Sequence, residues 1–293
     1  KSNLFISSFK MKIFLIKIIL FFVLAFIILS TIANLVIPSG KPAILSEQWY
    51  NVYERIVRSK KKIDSKTIYI GDSVADQIFN FKKTRNSLTC NAAILMAGHY
   101  ILTYNAIENN PQIETVVLVS VPQEINTKFE RKQVYNNFTL PFFTFENLKH
   151  FDSFLYSKFD QFPRSYLVLP MASKMLPLSD IDYAQGKKRS DRDILSDVSI
   201  HYLLKLNDLC VANNIELKII SPPVSEKLYK KTNNWKKMRT QIRELNLDYL
   251  FVDYFKNIRY LSEDKFKDGL HLKRRYLQES FLDRYKFNMI EEK

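Results

Sequence analysis

An α/β fold is what this sequence predicts: a parallel sheet covered by helices on both faces, preceded by one helix able to cross a membrane. Three observations point there. Short strand-like runs at Thr67–Ile70, Thr115–Val121 and Ile215–Ile220 each end in turn-forming residues. Segments of helical period lie between them, and short strands alternating with helices make a parallel sheet buried on both sides. Before all of these, Ile18 to Ile37 carries no charge and follows Lys10, Lys12 and Lys17.

That uncharged run is long enough to span a bilayer as a helix, and the preceding lysines favour the cytoplasmic side. Residues 1–37 are therefore expected to form a cytoplasmic tip and an anchor, with the body outside the cytoplasm. A cleavable signal peptide is the rival, with Thr31-Ile32-Ala33 as its small-residue site, but the apolar region is longer than such peptides use. Met11 is an alternative start. Pro38-Ser39-Gly40-Lys41-Pro42 opens a linker, and Trp49, Tyr50, Tyr53 and Ile56 mark a juxtamembrane helix, so residues 38–62 read as connection. The α/β domain is expected over 63–293.

The first strand, Thr67-Ile68-Tyr69-Ile70, runs into Gly71-Asp72-Ser73 and an amphipathic segment. This is a strand, a tight turn and a helix start. Leu88–Asn91 reads as a second short strand, and Gly98 to Ile107 as a helix ended by Asn109-Asn110-Pro111. The third strand is Thr115 to Val121. Residues 126–190 then break the alternation with ten aromatic residues from Phe138 to Tyr166, punctuated by prolines. An insertion of this length is expected to fold over the carboxyl edge of the sheet as a cap, its aromatics mostly forming the cap's own core. Within it, His150 reads as a surface histidine. Asp191 to Asn213 restores a helix, Ile215 to Ile220 gives the fourth strand, and Ser221-Pro222-Pro223 makes a rigid turn. Trp235, Met238, Ile242 and Leu245 mark the next helix, Tyr249 to Asp253 the fifth strand, and Tyr276, Leu277, Phe281 and Tyr285 the last helix.

A serine at the carboxyl end of a parallel strand sits in the crevice where open α/β sheets bind ligands. It needs a base, and Asp268-Gly269-Leu270-His271 near the other end supplies one. A carboxylate three residues ahead of an imidazole can orient the ring and leave its other nitrogen for the serine. Gly71-Asp72-Ser73 and Asp268-x-x-His271 together resemble the SGNH, or GDSL-like, hydrolases and acyltransferases, from about Ile63 onward. The resemblance implies a flavodoxin-like three-layer sandwich with a five-stranded parallel sheet. It also implies catalysis by Ser73, His271 and Asp268, with the amides of Ser73 and Gly98 holding the oxyanion. The family's Gly-x-Asn-Asp turn after the third strand is replaced by Pro122-Gln123-Glu124, where Gln123 is the substitute donor.

The formal net charge is +14 over 293 residues. Scattered lysines without a nucleic-acid motif exclude a dedicated nucleic-acid protein and fit solvated faces, a membrane surface or an anionic polymer. Cys90 and Cys210 allow one disulfide or two buried thiols. Zinc spacings are absent, and neither a metal nor a cofactor is implied. The expected function is a membrane-anchored, extracytoplasmic serine esterase or O-acyltransferase on acyl esters of a cell-surface polysaccharide, with residues 18–37 in the membrane and a membrane acyltransferase as partner. The alternative is a scaffold that keeps the fold and has lost the reaction.

Overall fold

The computed structural model describes residues 2–36, 47–79, 84–125, 134–142, 146–159, 195–232, 234–273 and 276–277. Helix α1, Ser2–Val36, contains Met11–Leu29, a stretch long and apolar enough to cross a membrane by length and composition. It belongs to a unit separate from the body that begins at Ser46.

In the body, helix α2 (Glu47–Ser59) comes first. Its Val52, Tyr53, Arg55, Ile56 and Ser59 are buried, a helical spacing that turns one face inward. Strand β1 (Thr67–Gly71) leads into helix α3 (Ser73–Ile78). Helix α4 (Leu95–Asn109), strand β2 (Thr115–Val119) and the single-turn helix α5 (Pro122–Ile125) follow. Beyond the insertion come helix α6 (Asp197–Ala212), strand β3 (Glu216–Ile220) and helix α7 (Asn234–Glu244).

The three strands form one parallel sheet with β2 in the middle; Gly71 lies opposite Val119, which lies opposite Ile220. Side chains alternate between the faces of a strand. Ile68, Ile70, Val116, Leu118 and Ile219 therefore share one face, each no more than 1% exposed. On the other face Tyr69, Val117, Val119 and Ile220 pack with Val74, Ala75 and Ile78 of α3. Both faces of β1 and β2 are buried, as their apolar runs require, whereas the first residues of β3 are exposed or half-buried. A separate parallel pair, Val224–Ser225 with Tyr260–Leu261, makes a two-stranded sheet.

Two expected strands come out differently. Leu88–Asn91 is not a full strand: Tyr69 and Ser87 form a single parallel bridge, with Leu88 N–H to Tyr69 O at 2.8 Å and Cys90 N–H to Gly71 O at 2.9 Å. Residues 86–90 thus line the edge of β1 away from β2. Tyr249–Asp253 is no strand at all. It is a 3₁₀ turn (Asp248–Leu250) running into the helix Val252–Lys256, because Leu247, Leu250, Phe251 and Tyr254 are the buried positions, spaced three and four apart.

Of the insertion, residues 134–142 and 146–159 are described. Phe138 and Phe142 are fully buried with ring centroids 5.3 Å apart, and Phe151 joins them at 5.8 Å from Phe138. The turns Tyr135–Thr139 and Leu140–Phe142 pack against α2. His150 is not the surface histidine expected. It is 3% exposed, its ring centroid 4.3 Å from that of Tyr104, and burial with nearby Lys149 and Lys205 pushes its pKa down to about 4. Cys90 and Cys210 are free buried thiols, each pushed up to about 12 by burial. The linker residues 38–46, insertion residues 126–133, 143–145 and 160–190, the first residues 191–194 of the helix expected after it, and the expected last helix beyond Leu277 lie outside the described residues.

Candidate active site

The end of β1 determines where Ser73 stands. Gly71 has φ +146°, and a Cβ there would overlap both the Ala75 Cβ and the Val119 carbonyl oxygen. Only glycine lets the chain turn this closely over β2. Asp72 then caps α3, its carboxylate accepting from the Val74 amide at 2.9 Å. Ser73 becomes the first helical residue, where its own amide has no intrahelical acceptor.

The partner loop is a short hairpin. Phe266 and Leu272 form an antiparallel bridge, with Lys267 N–H to His271 O at 2.7 Å closing the turn. Gly269, at φ +85°, supplies the left-handed residue the turn needs. One Asp268 oxygen accepts from the amides of Leu270 (3.1 Å) and His271 (2.8 Å), and the other lies 2.8 Å from His271 Nδ1. His271 Nε2 is 3.0 Å from Ser73 Oγ. Two segments 198 positions apart therefore meet in one chain of hydrogen bonds.

The electrostatics follow from that chain. Partial burial works against ionised Asp268, yet the His271 amide, its ring and the Leu270 amide outweigh it and hold the carboxyl below its usual range. A carboxylate accepting at Nδ1 keeps the ring proton there, and the Nε2 lone pair then faces the Ser73 hydroxyl. Half of the Asp268 side chain remains in solvent, against 30% of the His271 side chain.

Sequence reasoning missed the residue that joins the two halves. Gln77, one turn after Ser73, donates from Nε2 to the Leu272 carbonyl (2.6 Å) and accepts the Leu272 amide on Oε1 (2.9 Å). This two-point clamp holds the residue beside His271 directly to the serine's helix. No signal in the sequence marks it. Behind the same helix, Asp76 accepts from Thr89 Oγ1 (3.0 Å) and lies 3.4 Å from Arg55 Nη2, while Arg55 Nε donates to the Thr89 carbonyl (2.5 Å). Burial raises the Asp76 carboxyl's pKa, and Arg55 opposes that rise.

Gly98 stands inside α4, at a position whose N–H an intrahelical bond to the Ile94 carbonyl ordinarily takes. Gln123 falls in α5, just past β2; its side chain lies outside what the structure describes. Helix α4 begins at Leu95, at φ +61°, with no side chain capping it. Leu95 and Met96 line a small pocket with Asp72, His99 and Ser120, and as residues of the helix's first turn their amides have no intrahelical acceptor, a feature no motif singled out. His99 does not approach Ser73 as a base in place of His271. It is 4% exposed, its Nδ1 has no hydrogen-bond partner among the described residues, and burial pushes its pKa down to about 4. His201 bonds Asp152 at 2.7 Å and stacks on Phe154, which is structural company. Among the described residues no group of side chains is arranged to hold a metal ion.

No family model, curated protein or solved structure matches the chain.

Proposed function

We propose that this chain is a membrane-anchored serine esterase or O-acyltransferase of the SGNH, or GDSL-like, kind, acting on acyl esters of an extracytoplasmic glycan. The observation that carries the reading is the relay from Ser73 Oγ to His271 Nε2 (3.0 Å) and from His271 Nδ1 to Asp268 (2.8 Å). Ser73 Oγ attacks the acyl carbonyl carbon while its proton passes to His271 Nε2, and Asp268 stabilises the imidazolium. That proton then leaves with the alcohol as the ester bond breaks. Water or a sugar hydroxyl attacks the acyl-serine in turn, giving hydrolysis or transfer. The Ser73 amide is one oxyanion donor, with Gly98 and Gln123 as the resemblance implies, and the Leu95 and Met96 amides are of the same type.

The order of residues 86–90, β1, β2 and β3 supports reading the domain as a flavodoxin-like three-layer sandwich, short of the five strands expected. The apolar Met11–Leu29 stretch, with Lys10 just before it and Lys12 and Lys17 towards its N-terminal end, supports an anchor and an extracytoplasmic body; a membrane acyltransferase beside it is part of the same proposal. A second reading, an SGNH-fold scaffold without activity, is favoured by Pro122-Gln123-Glu124 where the family carries its asparagine.

A fluorophosphonate probe separates the two. The full chain in neutral detergent should be labelled, and Ser73→Ala should abolish labelling. Folded wild type that stays unlabelled establishes the scaffold instead.

A further inference from the structure

The hairpin that carries His271 also carries a concentration of positive charge on the same face. Phe266 and Leu272 oppose each other and are 4% and 2% exposed. The flanking bonds, Lys267 N–H to His271 O and Lys273 N–H to Lys265 O, set Lys267 opposite His271 and Lys265 opposite Lys273. Side chains alternate along each strand, so with Phe266 and Leu272 turned into the core, Lys267, His271 and Lys273 share the other face, while Lys265 closes the 3₁₀ turn Glu263–Lys265 that leads in. Cross-strand neighbours have Cβ atoms about 5 Å apart and diagonal ones about 7–8 Å, within reach of a lysine side chain.

The acidic groups nearby cancel this charge only in part. Asp268 is committed to His271 and two amides, and Glu263 is paired with Lys227 at 2.8 Å. Asp264 remains, facing Lys265 and Lys273. Lys267 and Lys273 are exposed and have no ion-pair partner among the described residues, while Lys265 lies over the Tyr276 ring.

We infer that the ester this site takes is borne on an anionic substrate, with a carboxylate or phosphate group near the acyl-bearing oxygen, held by Lys267 and Lys273 across the hairpin from His271. The inference rests on Ser73 and His271 being the reaction centre. It goes further in naming the charge of the substrate. The lysines flank the reacting imidazole itself, so the complementary charge is that of the substrate rather than of a lipid surface.

The test compares 4-acetoxybenzoate, which is anionic, with its neutral methyl ester, using full-length protein in neutral detergent. Lys267→Gln/Lys273→Gln should lower kcat/KM for the anionic ester by about tenfold, about threefold for each exposed charge. The neutral ester should change less than twofold. Lys61→Gln/Lys62→Gln, at the opposite end of β1, removes the same charge and should change neither. Equal losses on both esters, or the same loss in the control variant, would overturn the inference while leaving the esterase reading intact. Absence of Ser73-dependent hydrolysis in wild type defeats the esterase reading. Binding of Ser73→Ala to labelled polygalacturonate against neutral dextran then decides the charge. Weaker polygalacturonate binding on loss of Lys267 and Lys273, but not of Lys61 and Lys62, supports the inference, and equal weakening overturns it. A loss confined to phosphatidylglycerol vesicles overturns it too, in favour of a membrane surface.

Discussion

Replacing Gln77 with alanine tests whether the hairpin is held in place by the helix it serves. The substitution removes both bonds to Leu272, at 2.6 and 2.9 Å. Each is worth about 0.5–1.5 kcal/mol net, so the clamp contributes on the order of 1–3 kcal/mol to docking the hairpin. Its larger effect is on position. The Ser73–His271 bond is 3.0 Å long, and a displacement of about 1 Å at a reacting centre costs on the order of a hundredfold. We expect the second-order rate of fluorophosphonate labelling at Ser73 to fall about 10- to 100-fold in Gln77→Ala. Thermal denaturation run beside it should drop by about 2–12 °C, at about 2–4 °C per kcal/mol for a domain of this size. Labelling within twofold of wild type, in a variant that is folded, would refute the clamp's role in setting the imidazole.

Three further outcomes follow from the geometry. Asp268→Asn leaves His271 without an anion at Nδ1 and should slow Ser73 labelling by roughly 10²–10⁴-fold, the range set by half the acid's side chain being in water; an unchanged rate would remove the acid from the relay. Gly71→Ala forces a Cβ onto Ala75 and the Val119 carbonyl at φ +146° and should cost about 2–4 kcal/mol in denaturant unfolding, which a variant of wild-type stability would contradict. Buried His99 has its pKa pushed down to about 4, while the unfolded chain takes up that proton near 6.5. Between these values the unfolded state binds more protons, so stability is intact above about pH 6.5 and falls with pH toward about 4, by up to about 1.4 kcal/mol per unit. His99→Leu should flatten this part of the unfolding-midpoint profile, and parallel profiles for the two proteins would show the imidazole is not the titrating group.

Strands β1 and β2 were legible because strands buried on both faces read as apolar runs, ending here at Gly71 and Pro122, and β3, though it carries Glu216 and Lys218, is marked by its apolar Ile219-Ile220 end before the Ser221 turn. The segment after Leu247 was not: its apolar residues are so dense that a strand and a helix fit equally, and only burial at Leu250, Phe251 and Tyr254 separates them. In the site, Ser73, Asp268 and His271 announce themselves because each sits in a local turn signature. Gln77 does not, since a carboxamide on a helix acquires its role only from a hairpin 195 positions away. His150 misled because polarity is a poor guide once a ring packs edge-on against tyrosines. Arg55 was invisible for a similar reason, as an arginine on an amphipathic helix reads as its wet side.

Arg55 also bears on how a soluble form of this protein should be cut. Trimming away everything before the first strand looks natural, since α2 follows the linker and resembles a stalk. Such a truncation would delete the guanidinium that lies 3.4 Å from Asp76 and leave a buried carboxylate without its counter-ion, three residues from Ser73. Removing one member of a buried pair costs about 3–5 kcal/mol. A version that begins at or before Glu47 keeps the helix, and with it the floor on which the serine's turn rests.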